Sequence, residues 1–170
     1  MQLYLLSEPD AVCLDGSPAG YYYAPGSRGQ WLLYLQGGGW CYTPAICAWR
    51  ARLGEHGSST RWSPYMDAEK IPGLSADPLV NPDFAGFSRV FVNYCDGASF
   101  AGDAVTTHAD GFTTYSRGRR ILEAVLRRLQ SVEFGLGAVA NTEFLLAGCS
   151  AGGLTVYRPI CSQSLGLCCC

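Results

Sequence analysis

The chain has 170 residues, 48% hydrophobic and 15% charged, a balance that buries a core and excludes a disordered chain. A net charge of -2 gives no basic footprint for nucleic acid. No apolar run reaches the roughly 20 residues a membrane-spanning helix needs.

Taken in chain order, residues 1–6 lack a basic lead, and Ser7-Glu8-Pro9-Asp10 interrupts the apolar run too early for an intact secretory signal. Residues 21–24 and 31–35 read as adjacent strands separated by the turn-forming Pro25-Gly26-Ser27-Arg28-Gly29. Residues 48–87 are rich in Gly, Ser and Pro and read as a long excursion with little regular structure, of the kind that shapes a cleft over a sheet. Residues 90–94 form the next buried strand. An amphipathic helix is expected over 116–131, with Ile121, Leu122, Val125, Leu126 and Leu129 on one face. Its other face carries Arg117, Arg119, Arg120, Arg127 and Arg128, read as solvated rather than phosphate-binding. Residues 144–147 are a last strand. Neither a linker nor an internal repeat divides the chain.

That last strand runs into Gly148-Cys149-Ser150-Ala151-Gly152-Gly153. A strand that reverses sharply into a helix needs small residues around a central serine, so that its hydroxyl stands exposed on a strained turn. Ser150 is therefore the candidate nucleophile. Upstream, the strand Trp31-Leu32-Leu33-Tyr34-Leu35 ends in Gln36-Gly37-Gly38-Gly39-Trp40, and three glycines leave backbone N–H groups unobstructed. The expected oxyanion donors are Gly38, Gly39 and Ala151, with Gly37 shaping the turn. Trp40 has two readings, a wall of the acyl pocket or a cover for the core edge.

These motifs, with Cys13-Leu14-Asp15-Gly16-Ser17, Asn81-Pro82-Asp83-Phe84 and Asn93-Tyr94-Cys95-Asp96-Gly97-Ala98-Ser99-Phe100-Ala101-Gly102-Asp103, resemble the pectin acetylesterase family, which includes the Notum carboxylesterases. The wording Gly-Gly-Gly-Trp-Cys and Tyr-Cys-Asp-Gly-Ala-Ser-Phe is closer to the plant-type pectin enzymes than to the lipid deacylases. The resemblance implies an α/β fold, an α/β-hydrolase-like doubly wound sheet, and a secreted serine esterase of the cell wall. It implies acetylated pectin as substrate and no metal or organic cofactor. It also implies the pairs Cys41–Cys47 and Cys13–Cys95. Nine cysteines agree with an oxidising compartment, and their odd number leaves at least one unpaired. Cys149 reads as a small buried space-filler. A zinc site is disfavoured because no paired CxxC spacing is present and histidines are scarce.

In this fold the acid and histidine of a triad follow the nucleophile, yet only about twenty residues follow Ser150. His56 and His108 both precede it and match no catalytic position of the family, so each reads as a surface histidine without a role. Asp96 and Asp103 are possible cleft residues, and neither is assigned as the triad acid. Residues 158–170, with Pro159 and a terminal cysteine triplet, depart from the family pattern and read as a divergent tail. The expectation is one partial α/β-hydrolase domain over 1–170, incomplete on its C-terminal side and weakly active or inactive. Two rivals are a non-catalytic pectin-binding or regulatory fragment with Trp40, Trp49 and Trp62 in an aromatic cleft, and a Notum-like lipid or protein deacylase. The sequence does not set the oligomeric state.

Overall fold

A computed structural model describes residues 1–157, so the expected tail lies outside the described residues. In chain order the elements are β1 (Gln2–Leu5), β2 (Gly20–Ala24), β3 (Ser27–Leu35), α1 (Pro44–Leu53), β4 (Phe87–Val92), β5 (Ala104–Thr107), β6 (Thr113–Ser116), α2 (Gly118–Leu129), β7 (Glu143–Gly148) and α3 (Ala151–Val156). Five strands form one mixed sheet in the order β1-β2-β4-β3-β7, and β5 and β6 form a separate hairpin. β1 and β2 pair antiparallel, as do β2 and β4, whereas β4, β3 and β7 run parallel. The expected strands at 21–24 and 31–35 are thus consecutive but not paired, because β4 inserts between them.

Strand alternation divides the side chains between two cores. Trp31, Leu33 and Leu35 of β3 and Val90 and Val92 of β4 join Ile121, Val125 and Leu129 of α2 on one face. Leu32, Tyr34 and Phe91 turn to the other face, which is covered by Ala68 and Leu74 from two short 3-10 turns. Each fully buried large aliphatic or aromatic side chain contributes about 1.5–3 kcal/mol. The apolar stripe of α2 packs as its periodicity predicts, and its arginines pair on the surface, Arg120 with Asp10 and Asp103, and Arg128 with Glu133. Arg117 joins them on Asp103.

Helix α1 begins ahead of the region 48–87 read as irregular and runs into it as far as Leu53. Its start follows local chemistry: Thr43 Oγ1 accepts from Ile46 N at 3.2 Å and Pro44 occupies the first turn. Only Ala48 and Ala51 of this helix are buried, so it carries no apolar period from which to be read. Strand β1 and the β5–β6 hairpin are also additions. Residues 2–5 pair with β2 over the whole length of the strand, with Gln2 opposite Tyr23 and Leu5 opposite Gly20.

Candidate active site

β7 and β3 are neighbours in parallel, with Leu35 opposite Gly148, and Cys149 N extends the pairing by donating to Leu35 O at 3.2 Å. Both strands therefore end at one edge of the sheet, and the triglycine loop and Ser150 emerge together. Ser150 has φ 52° and ψ -119°, a region that costs a residue with a side chain about 1–3 kcal/mol. It is exposed, and α3 begins at the next residue. The glycines are needed for close approach: a Cβ on Gly152 would collide with the Leu35 carbonyl and lie 2.6 Å from that of Gln36. A Cβ on Gly37 would lie 2.5 Å from Cys149 O and 3.0 Å from Ser150 Cβ. The Ser150 turn and the triglycine loop are thus in backbone contact.

The loop is held by its carbonyls. Arg50 Nη2 from α1 donates to Gly38 O at 2.8 Å, and Tyr94 OH donates to Gly39 O at 2.7 Å. In a trans peptide the N–H points opposite to the C=O, so these two bonds turn the N–H groups of Gly39 and Trp40 away from Arg50 and Tyr94. The N–H groups of Gly38, Gly39, Trp40 and Ala151 have no acceptor among the described residues. Burial pushes the Tyr94 hydroxyl up to about 12, so it remains a neutral donor. The same hydroxyl accepts from Ser99 N at 2.9 Å, while Thr155 Oγ1 of α3 donates to Ser99 O at 2.6 Å. The 94–100 segment therefore braces the triglycine loop against the helix that follows Ser150. Gln36 completes the brace, its Oε1 accepting from Tyr94 N at 2.8 Å.

Trp40 is half exposed beside this brace and its indole N–H donates to Ser99 Oγ at 2.6 Å. Cys13–Cys95 and Cys41–Cys47 are both disulfides, with Cα separations of 4.9 Å. Three expectations need correction. Asp96 does not line the cleft: it is fully buried, its Oδ1 accepts from Phe100 N at 3.1 Å, and Gly118 packs against its other oxygen. Desolvation raises its pKa to about 6 against the opposing backbone hydrogen bonds. Cys149 is exposed rather than a buried filler, because the turn that exposes Ser150 exposes its neighbour too. His56 is half-buried beneath Gly38, whose Cβ position lies 2.8 Å from the ring. Burial, helped by the Arg50 charge, lowers its pKa and keeps the imidazole neutral.

Ser150 Oγ makes no hydrogen bond among the described residues, and neither histidine is bonded to it; His108 Nε2 lies 3.0 Å from Thr114 Oγ1 on the hairpin. Asp103 is spent on Arg117 and Arg120. No group of His, Cys, Asp and Glu able to hold a metal occurs among the described residues. Arg50, Tyr94, Ser99 and Thr155 were not singled out as site residues. Arg50 stands on α1, and the Thr43-Pro44 start of that helix is the local signal by which its position could be found.

A mixed sheet with a nucleophile-type turn at the end of a parallel strand defines an α/β-hydrolase-type fold. The chain resembles the Wnt deacylase Notum from Drosophila with a TM-score of 0.81 and 30% identity, covering 92% of this chain and 45% of that one. The pectinacetylesterase family model matches residues 1–162, and the chain belongs to that family. It is 41% identical over 150 residues to pectin acetylesterase 5 of Arabidopsis thaliana, which covers 86% of this chain and 34% of the relative. It is 35% identical over 163 residues to palmitoleoyl-protein carboxylesterase notum1 of Xenopus laevis, covering 94% and 32%. The chain thus spans about a third of the length of these curated relatives.

Proposed function

We propose that this chain is the nucleophile-bearing part of a secreted carboxylic ester hydrolase that removes acetyl groups from pectin. The observation that carries the reading is the exposed, strained Ser150 in backbone contact with a loop of N–H groups that lack acceptors. Ser150 Oγ attacks the acetyl carbonyl carbon and its proton passes to a general base. The carbonyl oxygen becomes an oxyanion held by the N–H groups of Gly38, Gly39 and Ala151, which need no reorganisation to receive it. Collapse expels the sugar hydroxyl, leaving an acetyl group on Ser150 that water then removes. Among the described residues no base is hydrogen-bonded to Ser150 Oγ, and a serine without a bonded base turns over slowly.

Identities of 34–41% with four pectin acetylesterases, against 34–35% with four Notum carboxylesterases, lean toward an acetylated polysaccharide over a lipidated protein. Two disulfides in the described residues support an oxidising, extracellular setting. The test is acetate release from acetylated pectin by the chain and by Ser150→Ala. Slow release that is abolished in the variant is expected; release that survives the substitution overturns the assignment.

A further inference from the structure

Beside the triglycine loop, at the carboxyl ends of β3 and β4, lies a cavity of about 340 Å³ that includes Gln36, His56 and Asn93 in its lining but not Ser150. Asn93 is only 5% exposed and its Oδ1 has no partner among the described residues. The adjacent Tyr22 hydroxyl cannot serve it. That hydroxyl spends its one hydrogen on Ser63 O at 2.7 Å. A buried acceptor left unpaired is costly, and a ligand hydroxyl would relieve the cost.

The rest of the lining sorts into spent and unspent groups. Asp15 is occupied by the Ser17 amide and hydroxyl at 2.9 and 2.5 Å, and Arg52 by Asp110 at 2.6 Å. Glu55, His56 and Arg61 make no hydrogen bond among the described residues. His56 is neutral, so one ring nitrogen donates and the other accepts. The half-buried Trp62 adds an apolar wall. Planar donors and acceptors in mixture, set beside an indole, match a sugar ring, whose hydroxyls both donate and accept and whose C–H groups are apolar. A phosphate dianion is a poorer fit than a single carboxylate, because Arg52 is already paired with Asp110, Arg61 alone is left to meet the charge, and Glu55 repels any further negative charge.

We propose that this cavity is a subsite for one uronic-acid ring of the substrate polysaccharide, with Asn93 Oδ1 accepting from a ring hydroxyl and Arg61 pairing with the ring carboxylate. The assignment rests on the polysaccharide esterase reading and deepens it. Gly38 lies against His56, so a ring held here abuts the triglycine loop and a neighbouring unit of the same polymer is presented toward Ser150.

Titration of the chain with unacetylated trigalacturonate, followed by tryptophan fluorescence and by ligand NMR, tests the subsite without requiring turnover. Saturable binding is expected, unchanged in Ser150→Ala and weakened at least about 10-fold in Arg61→Ala and in Asn93→Ala, in line with loss of a charge-assisted or buried hydrogen bond. Arg61 is exposed, so its variant folds as the parent does, and circular dichroism checks Asn93→Ala. Absence of saturable binding, or binding indifferent to Arg61→Ala, overturns the subsite. Sugar binding that persists where no Ser150-dependent acetate is released would instead count against the catalytic reading alone.

Discussion

At Ser150 a side chain occupies backbone angles that few residues other than glycine adopt, and the surrounding backbone contacts hold it there. The neighbouring Arg50 sets the direction of the Gly39 N–H through the Gly38 carbonyl. Arg50→Ala should lower kcat of ester hydrolysis by about 10²-fold with little change in KM, the pattern for loss of an aligned oxyanion donor. Steady-state kinetics on an aryl acetate check this, and an unchanged kcat would show that the loop keeps its shape unaided. Asp96 bears on stability instead. Its folded pKa of about 6 lies above its unfolded value of 3.8, so its contribution is fully present below the unfolded pKa and is lost as pH rises through about 6. Wild type should therefore lose about 2 kcal/mol more than Asp96→Asn between about pH 4.5 and about pH 7, measured by urea unfolding. Equal losses would mean that the carboxyl is not strained by burial.

Among the elements, the parallel pairing of β3 and β7 places two distant motifs at one sheet edge. The disulfides reinforce that edge unequally. Cys13–Cys95 closes a separation of 82 residues and Cys41–Cys47 one of 6. Loop-closure entropy then assigns about 4.5 kcal/mol to the first and about 2.4 kcal/mol to the second. Denaturant unfolding of the paired serine variants should rank them in that order, and the reverse order would place the main effect of the small ring in the native loop. The turn around Ser150 was legible because close backbone approach admits only small residues, a constraint written locally in Gly148 to Gly153. Helix α1 was not, because two buried alanines leave no period to read. The burial of Asp96 was also hidden, since nothing near it in the chain announces that Gly118 will close over it. Insertion of β4 between β2 and β3 is a long-range pairing that consecutive strands do not reveal.

In the molecule as a whole, the described sheet ends at β7, which pairs with β3 alone and leaves Leu145 37% exposed. Ser150 and the N–H groups proposed as oxyanion donors are braced by a network running from Arg50 and Tyr94 through Ser99 to Thr155, all within the described residues. Proton transfer is the part that this network does not supply, since no base is bonded to Ser150 among them. On the proposed reading an aryl acetate, with its good leaving group, acylates Ser150 with little help from a base, whereas hydrolysis of the resulting alkyl ester needs an activated water, so an acetyl group on Ser150 leaves slowly and can be trapped. The direct test is peptide mass spectrometry after prolonged incubation with an aryl acetate. The account predicts an acetyl group on Ser150 that is missing from the same peptide of Ser150→Ala and depleted in Arg50→Ala. An unmodified Ser150, with acetylation confined to other residues, would contradict it.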